Sequence, residues 1–211
     1  MKPVDVAASP PKRKTGRPLS FDRDAALQQA MLAFWRHGYE TTSVSDLTAA
    51  MGITAPSLYT AFGDKKRLFL EAAQRYAGDP AVMAGRVSAA PTAFQAAREM
   101  LTASAIAFTG PETPRGCLLA SATASGSQNS ADVQCAVADI RRSIAGHLQA
   151  RIEQDVAVGV LPRGTDATAL AGVVIAVIQG LSVLARDGVP REGLLAIANM
   201  ALGAWPAAAQ G

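Results

Sequence analysis

The sequence predicts an all-α protein with a helix-turn-helix unit at the N-terminus and a larger helical unit behind it; composition, periodicity and punctuation carry that prediction. Hydrophobic residues make up 49% of the 211-residue chain and charged residues 18%, which argues against a disordered polypeptide. Alanine dominates the apolar set, which favours helix. Apolar residues recur at three- and four-residue intervals between capping residues and glycines, and no stretch alternates as a half-buried strand would. A chain of this length buries a core without staples and holds two compact units at most.

The elements follow in order. Asp22 is placed to cap a first helix whose Leu27, Ala30, Met31 and Phe34 form one buried stripe, and Gly38 ends it. Ser43 with Asp46 three residues on approximates a capping box for a two-turn helix carrying Val44, Leu47 and Met51 on one face before Gly52. Thr54 caps a third helix, Pro56 sits in its first turn where no backbone donor is needed, Leu58 and Phe62 face inward, and Gly63 ends it. Asp64 caps a fourth helix through Leu68, Ala72 and Tyr76, and Gly78-Asp79-Pro80 reads as a break. Beyond it, helical stretches are predicted near 92–108, 117–125, 131–158, 165–186 and 191–205.

Charge and aromatic content divide at the same break. Residues 1–78 hold 11 Lys or Arg against 7 Asp or Glu, whereas residues 79–211 hold 9 against 10. The excess lies in residues 1–20, with Lys2, Lys12, Arg13, Lys14 and Arg17 against Asp5 alone, a basic arm suited to phosphate attraction. Phe21, Phe34, Trp35, Tyr39, Tyr59, Phe62, Phe69 and Tyr76 cluster in the first part; only Phe94, Phe108 and Trp205 follow. The expected divisions are therefore an arm at 1–20, a compact unit at 21–78 around large rings, and a unit at 79–211 packed with Ala, Val, Leu and Ile.

Two short helices joined by a tight glycine turn have the dimensions of a DNA-reading helix-turn-helix. The run Gly38-Tyr39-x-x-Thr42-Ser43-Val44-x-x-Leu47, then Met51-Gly52-Ile53-Thr54, Ser57-Leu58-Tyr59-x-x-Phe62 and Lys65-x-x-Leu68, resembles the DNA-binding domain of TetR-family transcriptional regulators. The resemblance implies a three-helix DNA-binding domain followed by a ligand-binding and dimerisation domain, about nine helices in all. It also implies that Thr42, Ser43, Tyr59 and Lys65 hold phosphates, a role that hydroxyls and helix N-termini suit. The third helix lacks Arg, Lys, Asn and Gln, so bidentate base contacts are not expected. Thr54, Ala55 and Pro56 are expected to touch thymine methyls, Ser57 and Thr60 to give single hydrogen bonds, and DNA shape to contribute the rest. Lys14 and Arg17, in Lys12-Arg13-Lys14-Thr15-Gly16-Arg17-Pro18, resemble a weak AT-hook reaching an A·T-rich minor groove.

In the C-terminal unit, Ala167 to Ala185 is 19 residues without a charge, close to a membrane span in length. Gln179, Ser182, the flanking Asp166 and Arg186, and the lack of an aromatic belt argue against insertion. Gly172, Ala176 and Gly180 fall on one ridge, a surface another helix approaches closely, and Leu184 continues it. By the resemblance, residues 165–187 and 190–205 form a four-helix dimer interface, and the twofold presents two reading helices to a pseudo-palindromic double-stranded DNA operator. The resemblance further implies a repressor released by a small-molecule effector, with Met100, Ser104, Phe108, Cys117, Ser121, Gln128, His147 and Gln179 as candidate lining. So few aromatic residues leave no cage, which favours an apolar or neutral effector.

Other readings remain open at this stage. Cys117 or Cys135 would serve a redox-responsive regulator, and a non-specific helical DNA-binding protein would share the basic arm. An enzyme is not expected: the chain has no Gly-x-Ser-x-Gly, phosphate loop, dinucleotide fingerprint or zinc spacing, so no catalytic residues, metal or cofactor are expected. The N-terminus lacks a signal-peptide core and the cysteines form no framework, which places the protein in the cytoplasm.

Overall fold

The computed structural model describes residues 21–121 and 130–207. The basic arm with Lys14 and Arg17, Gln128, and the end of the helix expected over 117–125 lie outside the described residues. Within them the chain is helical with no strand: α1 Arg23–His37, α2 Val44–Met51, α3 Ala55–Phe62, α4 Lys65–Ala77, α5 Pro80–Ala89, α6 Ala93–Ala107, α7 Leu118–Ser121, α8 Ala131–Ala157, α9 Ala167–Arg186 and α10 Arg191–Leu202.

The first four helices start on the expected caps. The Asp22 carboxylate accepts from the backbone N–H of Asp24 and Ala25, Ser43 and Asp46 form a reciprocal capping box, Thr54 accepts from the Ser57 N–H and Asp64 from the Arg67 N–H. The N-terminal core is aromatic: Phe34 meets the edge of Phe69 at 5.1 Å, and Tyr39 lies 5.0 Å from the same ring. Around it α1 packs on α2 and α4.

Arg23 pins this unit together. Its guanidinium makes a forked contact to Glu71 of α4, at 2.6 and 2.8 Å, and its carbon Cζ lies 4.4 Å over the Phe62 ring at the end of α3. The Glu71 hydrogen bond is the first cause of a guanidinium pKa above its ordinary value. The pair is more than a third exposed, so solvent screens it. Arg23→Ala is expected to lower the unfolding free energy by about 1 kcal/mol, lost ring packing included; an unchanged urea midpoint would remove Arg23 from the clamp.

The supposed break at Gly78-Asp79-Pro80 is a single turn. Gly78 adopts φ +76°, Asp79 caps through the Ala81 N–H, and α5 begins at Pro80. No helical period marks 79–91 in the sequence, because α5 buries only Val87 along its length, too thin a stripe to register.

In the larger part, α6 packs against α9 and α10, and α8 against α5 and α9. A buried ion pair between Arg151 and Asp155, 2.6 Å, ties α8 to the start of α6: Asp155 accepts the Ala93 N–H at 2.7 Å and Arg151 donates to the Pro91 carbonyl at 2.8 Å. Burial of this pair is offset by those additional bonds.

The two parts are stitched at one loop. Trp35 Nε1 of α1 donates to the Gly116 carbonyl at 3.1 Å, the Arg186 guanidinium of α9 donates to the Trp35 carbonyl at 3.1 Å, and the Cys117 N–H donates to Ser182 Oγ of α9 at 2.8 Å. Gly116 has φ +80°, and a Cβ there would fall 2.7 Å from the Ser182 carbonyl oxygen and 2.8 Å from Arg186 Nε. A second tie is an ion pair from Lys66 of α4 to Asp132 of α8.

Candidate nucleic-acid interface and adjoining cavity

Helix α3 presents one face to solvent. Leu58 and Phe62 are buried, while Thr54, Pro56, Tyr59 and Thr60 are exposed and Ala55 and Ser57 half-buried. Tyr59 is 50% exposed despite its apolar ring, in a unit whose other aromatic residues are buried or half-buried. The hydroxyls are locally engaged: Thr54 Oγ1 and Ser57 Oγ lie 2.9 Å apart, and Thr60 donates to the Pro56 carbonyl at 2.8 Å. Each retains lone pairs that can accept from a base.

The expected phosphate contacts are placed less uniformly. Ser43 is exposed at the start of α2, but its hydroxyl donates to the Asp46 carboxylate at 2.6 Å. That bond and the Ser43 backbone N–H hold the Asp46 carboxyl below its ordinary pKa. Thr42 departs from expectation: it is buried, and its hydroxyl donates to the Gly38 carbonyl at 2.6 Å, closing the end of α1. Lys65 departs as well. Its ammonium sits 4.6 Å over the Tyr39 ring and donates to the Glu40 carbonyl at 3.3 Å, and partial burial lowers its pKa. It braces the α1–α2 turn instead of projecting as a free charge.

The sequence reading passed over Arg67, which is exposed and lies across Gly63 at the end of α3, where a Cβ would meet Arg67 Cδ at 2.9 Å. With Lys65 folded onto Tyr39 and Lys66 paired with Asp132, Arg67 is the guanidinium that this basic run leaves beside the reading helix. The run Lys65-Lys66-Arg67 was the available signal.

Behind the reading head lies a cavity of about 400 Å³. Met100, Ser104, Phe108, Cys117 and Gln179 line it; Ser121 and His147 do not. Ser121 turns its hydroxyl back to the Cys117 and Leu118 carbonyls, and His147 leaves a buried Nε2 without a partner on α8. The resemblance places an effector among these helices without fixing which way each side chain faces. Trp35 and Tyr76, read from sequence as core, form part of the wall and meet edge-on at 4.8 Å. The Tyr76 phenol is pushed above its ordinary pKa, first by burial and then by the neighbouring Cys117. Cys117 is buried and Cys135 exposed.

On the opposite side, α9 offers an apolar surface the chain does not cover. It is long and apolar enough to cross a membrane by length and composition, yet only 22% of that segment is buried. Gly172, Ala176 and Gly180 are exposed, Leu184 is half-buried, and a Cβ at Gly172 or Gly180 would meet nothing within 4 Å. Val173 and Val183 of α9 and Ile197 and Met200 of α10 are exposed on these helices too.

A small helical head with one face of its third helix exposed, joined to a helical body with a half-open cavity at the junction, has the build of a helix-turn-helix transcriptional regulator. Comparison with known proteins places it more narrowly: the chain belongs to the TetR family. Residues 26–72 match the family described as bacterial regulatory proteins, tetR family, and residues 96–188 match the tetracyclin repressor-like C-terminal domain. The chain is 37% identical over 197 residues to the HTH-type transcriptional repressor ComR of Escherichia coli (strain K12), covering 92% of this chain and 94% of ComR. It is similar in structure to a cysteine mutant of the TetR family transcriptional regulator CifR, complexed with 26-bp double-strand operator DNA. That match has a TM-score of 0.85 and 43% identity, over 90% of this chain and all of the CifR chain. A putative TetR regulator from Rhodococcus sp. RHA1 matches at 40% identity and TM-score 0.60, over 87% of this chain and 98% of its own. Membership in this family makes the chain a DNA-binding regulator and not an enzyme.

Proposed function

We propose that this chain is a homodimeric repressor that grips a pseudo-palindromic operator in the cytoplasm and lets go when a small molecule fills the cavity. One observation carries the proposal: Trp35 and Tyr76, on the helices that support the reading head, are themselves part of the cavity wall. A ligand there touches the DNA-binding unit directly, and it weakens DNA binding to the extent that it prefers the arrangement unable to span two half-sites.

Residues 21–78 act as the reading head and 79–211 as the effector and dimer unit, with 1–20 as an arm on the minor groove. In the head, the N–H groups that the caps leave unbonded at the N-termini of α2 and α3 and the Tyr59 hydroxyl hold phosphates, joined by Arg67. Thr54, Ala55 and Pro56 meet thymine methyls, and Ser57 and Thr60 supply single hydrogen bonds. Dimerisation covers the apolar α9 and α10 faces, a solution for a charge-free helix that keeps it out of a bilayer. The exposed position of Cys135 and the burial of Cys117 put the two thiols in different surroundings, so nothing in their placement favours a redox-responsive regulator over the cavity.

Selection of bound duplexes from random DNA tests the proposal. It should recover an inverted repeat, and Tyr59→Phe should weaken every recovered sequence alike by roughly threefold to tenfold, as loss of one phosphate hydrogen bond does. Recovery of no preferred sequence would point to non-specific binding and sink the operator assignment. A changed preference in Tyr59→Phe would take Tyr59 out of the backbone contacts.

A further inference from the structure

We propose that the cavity takes an amphipathic organic acid, its carboxylate on Arg141 and its hydrocarbon body against Met100, Ile144 and Ile178. The inference rests on the effector role of the cavity and specifies the chemistry of what enters. The scarcity of aromatic residues in this unit favours a neutral or apolar effector on sequence alone, and the charged residues of the wall come from three separate helices and give no local motif to the contrary. In the fold Arg86 of α5, Glu99 of α6 and Arg141 of α8 all line the same space.

Arg141 is half-buried and spends one N–H, donated to the Leu119 carbonyl at 3.0 Å. A guanidinium has five such donors in a plane, and no carboxylate among the described residues pairs with this one. Its neighbour in sequence, Arg142, is by contrast paired with Asp139. Arg86 is exposed and has no ion-pair partner among the described residues, so it adds a second positive charge at the rim. Glu99, the one acid of the lining, is exposed and already accepts from Gln95 Nε2 at 2.8 Å. The balance is positive. The rest of the lining is mostly Ala, Met, Val, Ile and Leu, with the Trp35 ring at the head end.

A neutral guest would leave the spare Arg141 donors facing apolar carbon, and a cationic one would meet two guanidinium groups. A phosphate-rich guest would set its charges against walls that offer few donors. A monocarboxylate with an aliphatic or aromatic body satisfies both features: a forked bond to Arg141 and burial of hydrocarbon. A volume of about 400 Å³ is at the small end of ligand sites, enough for an acid of roughly ten to fifteen non-hydrogen atoms.

Decanoate, 1-decanol and decylamine, titrated calorimetrically into the full chain at neutral pH and below their aggregation limits, separate these cases. Decanoate should bind at least about tenfold more tightly than decanol, and decylamine more weakly than either. Arg141→Gln should weaken decanoate about 10- to 100-fold and leave decanol unchanged, and Arg141→Lys should recover part of the loss. Met100→Trp, which fills the space, should abolish binding of both; if that variant folds poorly, Ser104→Leu should weaken both. Equal affinity for acid and alcohol, tighter binding of the amine, no binding of the acid, or decanoate affinity indifferent to Arg141 would each overturn the proposal. Fluorescence anisotropy with a selected duplex keeps the two levels apart. Decanoate that binds through Arg141 but leaves DNA affinity unchanged would support the ligand class and remove the effector role.

Discussion

Gly180→Arg is expected to yield a folded chain that no longer pairs and scarcely binds its operator. A Cβ at Gly180 meets nothing within 4 Å, so the folded chain accommodates the side chain. Exchanging a mid-helix glycine for arginine favours α9 by roughly 0.5–1 kcal/mol. In a symmetric interface the same residue returns from the partner, so two guanidinium groups would be driven into an apolar contact with no counter-charge, at a cost of several kcal/mol. Loss of pairing makes each half-site an independent event and removes an effective-concentration gain on the order of 10²- to 10⁴-fold. Sedimentation should show one subunit with helicity unchanged, and anisotropy should show the corresponding loss of operator affinity. A variant that stays dimeric, or a monomer that binds its operator as the parent does, would contradict the assignment of α9 to the interface.

Gly116→Ala should be strongly destabilising. The residue sits at φ +80°, which costs an alanine roughly 1 kcal/mol, and the new methyl would fall 2.7 Å from the Ser182 carbonyl, a backbone atom that cannot swing aside. Gly116 cannot move freely either, because its carbonyl receives the Trp35 indole and the next N–H is held by Ser182. A loss of about 2–4 kcal/mol is expected, seen as a fall in Tm of roughly 5–15 °C at matched protein concentration. Operator affinity should fall as well, because the same loop fixes α1 against α9. A Tm within about 1 °C of the parent would show that the loop relaxes and that the head does not depend on it.

The parts of this molecule legible in the sequence are those whose determinants are local. Asp22, Ser43, Thr54 and Asp64 announce α1 to α4 because a cap acts within three residues of itself, and the buried rings of the head are long-range contacts that a simple apolar stripe already implies. Helix α5 escaped because it buries one valine. Thr42 and Lys65 were placed on the DNA side by resemblance; what turned them inward was the geometry of the α1–α2 turn, where the Gly38 carbonyl and the Tyr39 ring stand ready to receive them. The cavity was half legible. Met100, Ser104, Phe108, Cys117 and Gln179 come from elements the periodicity located, whereas the contribution of Trp35 and Tyr76 depends on how one helical unit docks on another. His147 shows the limit from the other side: the resemblance offers it as lining, yet it is half-buried on α8, outside the cavity wall, with its Nε2 buried.

The chain contains two tryptophans. Trp205 meets Phe94 edge-on at 5.8 Å, away from the head, while Trp35 is enclosed at the junction, its indole hydrogen-bonded to Gly116 and its ring facing the cavity. The protein thus carries an intrinsic optical probe at the seam between sensing and gripping. In a Trp205→Phe background the emission of the remaining indole would report, without any added label, both the arrival of a guest and the shift it imposes on the head.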